Sequence, residues 1–415
     1  MKNFTVLIVT FILLISMSVS GQWSQVNTGT TVRLESMAVT DANTVYIVGY
    51  SQPAVNWKTT NGGLSWFSFA SSGGGISVYF LNANTGFLDG MTSLQMTTNA
   101  GNTWTTVYTP TDTAVFRGFH FPNATTGYGV GMSVNSQNQL QTALIKTTNG
   151  GVNWTRLAQP ISGTGKQLQD VFFTDANTGY IVGWGSGSNV LMKTTNGGNN
   201  WSSLTSGVGS EAYGVKFTDQ NTGYICGQGG ILKTTNAGVS WTTSYSNNKM
   251  NNMYFINANT GFAVGNDGII RTNNAGATWT IQYSLSSDLY QIMFYGNYVG
   301  YAAGKDGLVV KTTNGGSIGI QPISTEIPSA YSLSQNYPNP FNPTTKIKFD
   351  VVRVGDVKIV VYDVMGREVQ TLVNESLKPG TYEASFEGNT LNSGVYFYKL
   401  ITDGFTETKK MLMIK

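Results

Sequence analysis

An all-β protein is predicted, a closed ring of seven four-stranded units followed by a small immunoglobulin-like β-sandwich. Three observations predict it: two short motifs that each recur seven times, a period-two alternation around them, and complementary defects at the two ends of the array. The first motif, a Thr-Thr-Asn turn or a close variant, begins at Thr59, Thr97, Thr147, Thr194, Thr234, Thr272 and Thr312, about 42 residues apart. Periods of about 20–50 residues mark solenoids, propellers and arrays. The second motif precedes it each time: DANTVYIVG at Asp41, NANTGFLDG at Asn82, NATTGYGVG at Asn123, DANTGYIVG at Asp175, DQNTGYICG at Asp219, NANTGFAVG at Asn257 and the degenerate GNYVGYAAG at Gly296. In the fifth unit AYGVKFT alternates as a strand, DQNTG turns, YICGQ is a strand, GG a tight hairpin, ILKTT a strand, NAG a turn and WTTSY a strand. Four antiparallel strands of this size make one propeller blade. Finally, the seventh copy, KTTNGGSIG, has Ser317 and lacks a tryptophan, while QWSQVNTG places Trp23 as TWTTVYTP places Trp104. An N-terminal strand that completes the last blade closes the ring and removes its exposed edges.

At the start of the chain, Lys2 precedes an apolar run from Phe4 to Ile15, and small residues follow at Ser18, Ser20 and Gly21. This is the order of a secretory signal peptide, residues 1–21, and the run is short of the roughly 20 apolar residues of a spanning helix. The mature chain is therefore expected outside the inner membrane with no integral membrane segment. Only 11% of residues are charged, and the net charge of +3 includes no basic block, which excludes nucleic acid as a partner. Cys226 is the only cysteine, in the apolar GYICG, and reads as a small buried hydrophobe.

The ring is expected over residues 22–318. Its repeated turn, KTTNGGVNW at Lys146–Trp154, fits S/T-x-D-x-G-x-T-W with Asn149 in the aspartate position. Asparagine bonds the backbone ahead of it, Gly150 and Gly151 supply positive φ, and Trp154 packs over the turn. Asn61, Asn99, Asn149, Asn196, Asn236, Asn274 and Asn314 are thus structural, and an uncharged amide is a poor ligand for hard cations, so no metal is expected. KTTNGGLSW, KTTNGGNNW and KTTNAGVSW, each behind an NTGYIVG-like strand, resemble the seven-bladed propellers of the photosystem II stability and assembly factor family. That family lies among the Asp-box (BNR-like) propellers, with sialidases, sortilin-type receptors and xyloglucanases. The resemblance implies the fold, and in the photosynthetic members an assembly-chaperone role.

Residues 319–328 are expected as a Pro-punctuated linker. Beyond it, GTYEASFEG turns Tyr382, Ala384 and Phe386 to one side, and VKIVVYDVMGREV, GVYFYKLITDG and ETKKMLMIK continue a sandwich pattern. Residues 329–415 resemble the type A sorting domain of type IX (Por) secretion cargo in Bacteroidetes-like bacteria. The resemblance rests on NYPNPFNPTT (Asn336–Thr345), VYDVMGREV (Val361–Val369), LKPGTY (Leu377–Tyr382), SGVYFYKL (Ser393–Leu400) and KKMLMIK (Lys409–Lys415). It implies that the type IX machinery is a partner, with passage across the outer membrane and then release or surface attachment.

Chemistry is sparse. GGSIG at Gly315–Gly319 meets G-x-S-x-G only as the tail of the seventh turn, without the strand-to-helix elbow a nucleophile needs. His120 is the only histidine and reads as structural, between blades. A sialidase uses three arginines and a Tyr/Glu pair. Here the ring holds only Arg33, Arg117, Arg156 and Arg271, three of them expected away from the channel ends, and no acid pair assembles from the inner strands. Counting six residues back from each Asn/Asp turn gives Glu35, Ile76, Arg117, Gln169, Tyr213, Asn251 and Tyr290. These form a varied ring at one channel mouth that suits a carbohydrate or peptide. Two residues before the turn stand Val39, Phe80, Phe121, Phe173, Phe217, Phe255 and Phe294, uniform as interblade packing requires. Ser133–Ala143 reads as a long loop and a second candidate surface. The expectation is a secreted, non-catalytic binding or assembly scaffold without cofactor; the alternative is a glycan-degrading enzyme.

Overall fold

A computed structural model of the chain describes residues 23–49, 51, 55–69, 71, 74–161, 163–185, 187–205, 207, 209, 211–246, 248–313, 315, 320–388 and 391–414. The expected signal peptide, Asn314 and most of GGSIG lie outside them. Apart from one 3-10 turn at Lys305–Gly307, the regular elements among the described residues are β-strands. No helix among these residues is long and apolar enough to cross a membrane.

The chain is a seven-bladed propeller followed by a β-sandwich. Seven inner strands, Ser36–Val39, Ser77–Phe80, Val115–His120, Lys166–Phe173, Ala212–Phe217, Met250–Phe255 and Leu289–Tyr295, each begin a four-stranded sheet. Six sheets use consecutive strands. The seventh runs Leu289–Tyr295, Val299–Gly304, Val309–Thr312 and then Ser24–Val26 from the N-terminus, with Ser24 opposite Lys311 and Val26 opposite Val309. The two incomplete ends of the repeat array therefore make one blade.

Packing between blades repeats a single aromatic unit. In six blades the phenylalanine two residues before the turn stacks on the Tyr or Phe of the preceding blade's second strand, and in the first blade Val39 takes its place. Phe173 lies 3.9 Å from Tyr128, Phe217 4.1 Å from Tyr180, and Phe255 4.3 Å from Tyr224, centroid to centroid. The blade's own tryptophan meets the phenylalanine edge-on, as Trp201 meets Phe173. In the seventh blade Trp23 fills this place, 5.8 Å from Phe294 and 6.3 Å from Phe262. A buried aromatic side chain of about 150–250 Å² is worth about 4–6 kcal/mol of transfer free energy, so each stack holds blade to blade substantially.

The repeated turn adds a polar latch. Thr147 Oγ1 donates to Asn149 Oδ1 (2.9 Å) and accepts from the Gly151 N–H (2.9 Å), while Asn149 Oδ1 accepts from the Asn153 N–H (3.0 Å). Where the fourth residue on is Ser or Thr, the amide also donates to its hydroxyl, as Asn61 does to Ser65 and Asn274 to Thr278. Gly151 is held at φ 87°, and a Cβ there would collide with the Phe87 ring, so conformation and space both require glycine. The motif's lysine reaches into the next blade. Lys146 Nζ and Tyr128 Oη both donate to Gly197 O at 2.8 Å, and Lys193 and Tyr180 do the same to Ala237 O. Cys226 is fully buried, and burial pushes its thiol up to about 12, leaving it inert.

Two expectations about irregular segments are corrected. Ser133–Ala143 is not a long loop: Gly127–Val134 and Leu140–Thr147 pair throughout, leaving a short turn in which Asn135 Oδ1 accepts from the Gln137 and Gln139 N–H groups. Within the expected linker, Ile320–Ser324 pairs with Gly380–Glu387 and so becomes an edge strand of the sandwich, where Pro322 is tolerated.

The sandwich packs that sheet, completed by Thr344–Val351 and Ser332–Leu333, on a second sheet of Glu368–Leu377, Gly355–Tyr362, Gly394–Thr402 and Phe405–Met413. Ile347, Phe349, Tyr382, Ala384, Phe386, Tyr398 and Met411 fill the space between them. NYPNPFNPTT clamps the chain end. Asn336 Nδ2 donates to Thr345 Oγ1 (2.9 Å), Asn339 Oδ1 accepts from the Leu412 N–H (2.9 Å), and Phe341 exchanges backbone bonds with Leu412 and Ile414.

Candidate functional site: the channel mouth

Alternate positions of the inner strands line an axial channel, and local irregularities decide what faces it at one end. In blades three to seven the pairing of the inner strand slips by one residue at Arg117, Gln169, Tyr213, Asn251 and Tyr290. Each is the extra residue of a β-bulge, a device that re-aims side chains beside functional sites. The bulge lets two consecutive positions face the channel. Glu35, Ile76 and these five residues all line one cavity of about 500 Å³, with Ser36, Gly118, Asp170, Asn252 and Gln291, the next residues along, forming its floor.

The floor is also the neck of a second cavity of about 400 Å³ further along the axis. Three residues before each turn, Ala38, Tyr79, His120, Phe172, Lys216, Tyr254 and Met293 line this inner chamber. His120 Nδ1 accepts from the Phe173 N–H (3.2 Å), and its ring lies 4.6 Å from Phe172. Burial, reinforced by the charge of Lys216, pulls its pKa down to about 3, so the imidazole is neutral and bridges two blades. At the neck Asp170 accepts from Lys216 Nζ (2.7 Å) and the Val215 N–H (3.1 Å).

A further set extends the mouth outward, beyond the positions six before each turn. Two residues before the bulge ring, in the same alternation, stand Arg33, Gln167, Glu211 and Lys249, and all four line the mouth. Two expectations fall with this. Arg33 joins Arg117 at the mouth, so two propeller arginines are there and not one; and Glu35 and Glu211 share a cavity, although both precede the regular inner strands from which no acid pair was assembled.

Most of these groups are occupied with one another. Arg33 Nε pairs with Glu35 (2.9 Å), and its guanidinium lies 4.2 Å over the Tyr290 ring. Tyr213 Oη donates to the Glu211 carboxylate, and Lys249 lies 5.3 Å over the Tyr213 ring and 4.0 Å from Asp288. Burial first, then the Glu211 bond, raises the Tyr213 hydroxyl above the ordinary phenol range. Asn251 Nδ2 donates to Leu289 O (2.7 Å), which ties it to the next blade. Arg117 stands apart. It borders both cavities, its Nε is buried without a partner, and its guanidinium forms no hydrogen bond or ion pair among the described residues. No cluster of metal-ligating side chains occurs among the described residues.

Fold and site together define a closed box-type propeller with a funnelled channel, carried on a β-sandwich. Residues 335–415 match the family model described as the secretion system C-terminal sorting domain, and residues 152–253 match that of the photosynthesis system II assembly factor YCF48. The chain thus carries a type IX secretion sorting domain, and it is a secreted or cell-surface protein. Among solved structures, YCF48 bound to D1 peptide is similar over 71% of this chain and 95% of that one, at 18% identity and a TM-score of 0.55. YCF48 from Cyanidioschyzon merolae gives 70%, 98%, 18% and 0.52. PorZ of Porphyromonas gingivalis, an essential surface component of the type-IX secretion system, is similar over 94% of this chain and 60% of that one, at 12% identity and 0.60. At such identities the likeness concerns fold. No curated protein matches the chain.

Proposed function

We propose that this is an exported, non-catalytic propeller that binds a ligand at the channel mouth and serves as a binding or assembly scaffold at or outside the cell surface. Residues 329–415 engage the secretion machinery, and residues 22–318 act as the working part. The observation that carries this reading is the run of five consecutive bulges, which present one arginine, two amides and two tyrosines to one cavity. Packing alone has no use for such variety, whereas recognition of a glycan or peptide does. The D1 peptide bound to YCF48 and the place of PorZ in a secretion apparatus support a binding role for propellers of this shape.

A second reading, a glycan-degrading enzyme, draws on Glu35, Glu211 and Tyr213 in one cavity. Against it, Glu35 is held by Arg33, and the Tyr213 proton is held more tightly than usual, whereas a nucleophile needs the reverse. The test is binding of the mature chain to a broad glycan array beside the variant Tyr213→Ala/Tyr290→Ala. Selective binding lost in the variant is expected. Retention by the variant refutes the mouth as the site, absence of binding by both sinks the glycan ligand, and hydrolysis of an arrayed glycan establishes the enzyme.

A further inference from the structure

The two cavities and Arg117, the cation left unpaired between them among the described residues, say more about the ligand; this step rests on the channel-mouth reading. Among the described residues every other cation bordering the channel is matched: Arg33 with Glu35, Lys249 with Asp288, and Lys216 with Asp170. Arg117 has only distant compensation from Glu35 and Asp89, and burial pulls its pKa down. Asp89 is itself occupied, accepting from the Phe116 and Met91 N–H groups. A desolvated guanidinium with free donors is an unfilled anion site, and its planar fork suits a carboxylate. Immediately beyond it lie Tyr79, Phe172, Tyr254 and Met293, partly exposed to the inner chamber. Aromatic walls of this kind take flat, apolar or ring-shaped groups.

We infer that the channel is a receptor for a carboxylate-bearing ligand with an aromatic or ring-shaped body. The carboxylate seats on Arg117 at the neck and the body enters the aromatic chamber, while the bulge residues of the mouth contact whatever the ring is attached to. Neither half suffices alone. A simple anion leaves the aromatic walls in water, and a neutral ring leaves Arg117 unpaired.

The probes are phenylacetate, phenylacetamide and acetate, titrated into the mature chain and followed by saturation-transfer NMR. Phenylacetate is expected to bind saturably and at least about tenfold more tightly than either of the others, the factor a charge-assisted bond supplies. Arg117→Gln is expected to remove that preference, Arg117→Lys to retain part of it, and Phe172→Ala to weaken phenylacetate severalfold. Equal binding of acid and amide by the unaltered protein overturns the inference without any variant, as does undiminished binding by a folded Arg117→Gln. Failure here is distinguishable from failure of the scaffold reading. Neutral glycans bound through Tyr213 and Tyr290, with Arg117→Gln unaffected, keep the mouth and sink the anion site. Phenylacetate bound with an empty glycan array does the opposite.

Discussion

Replacing Trp23 with alanine tests whether the N-terminal strand closes the ring. Trp23 is 2% exposed and packs edge-on against both Phe262 and Phe294, in a cluster with Leu308 and Val310. Truncating a core tryptophan costs about 3–5 kcal/mol. Its indole Nε1 is buried without a hydrogen-bond partner, so removing the ring also removes a donor whose desolvation was unfavourable by about 1 kcal/mol. The net expectation is a loss of about 2–4 kcal/mol. Trp23→Phe keeps the aromatic contact and deletes the unsatisfied donor, so it is expected to cost less than about 1.5 kcal/mol. The assay is guanidinium denaturation of the mature chain followed by circular dichroism, with Leu64→Ser, at an 88% exposed turn position, as a silent control. A Trp23→Ala variant within about 0.5 kcal/mol of the parent would show that the seventh blade holds without its N-terminal strand, and the closure argument would be wrong.

Two further outcomes follow from the buried polar groups. Asp89 is 1% exposed, and burial raises its pKa from 3.8 to about 7 against the bonds from Phe116 and Met91. Because the folded value lies above the unfolded one, its stabilising effect is complete below about pH 4 and is lost as pH rises through 7. Of the roughly 4 kcal/mol involved, about 2.5 disappears between pH 5 and 8, and denaturation midpoints should show a decline over that window that Asp89→Asn abolishes. In the third turn, Asn149→Ala strands the Thr147 hydroxyl and the Asn153 N–H and is expected to cost about 1–2 kcal/mol. Asn149→Asp retains both acceptor bonds and should cost under about 0.5 kcal/mol in the same melt. Equal losses would mean that the side chain's oxygen is not what matters.

Much of the fold was legible because repetition multiplies weak signals. Seven copies of a turn fix strand order and count, and Ser317 beside Trp23 shows where the ring joins. The six phenylalanines and Val39 two before the turns were readable as packing for the same reason. The loss of register at Arg117, Gln169, Tyr213, Asn251 and Tyr290 was not, since a bulge has no residue signature when arginine, amides and tyrosines all occupy it. Their shared place at the mouth was found by counting, while the reason that Asp170, Asn252 and Gln291 face the channel beside them was not. Arg33, Glu211 and Lys249 were missed because the count ended at the sixth position, although the eighth obeys the same alternation. The edge strand at Ile320–Ser324 was hidden by Pro322, which reads as a break unless the partner strand is known.

The seam between Ser24–Val26 and Val309–Thr312 has a consequence for the order in which the molecule can be finished. The residues that meet there are 287 apart in sequence, as Ser24 and Lys311 are. The first strand to be synthesised has no partner until almost the whole propeller exists. Until then Val309–Thr312, or whichever strand was made last, presents an open row of backbone donors and acceptors, and the N-terminal strand drifts at the end of a growing tether. Each half-made ring is therefore adhesive and each complete one is not. The sorting sequence lies wholly beyond the seam, so it emerges only on chains that already contain everything needed to seal it.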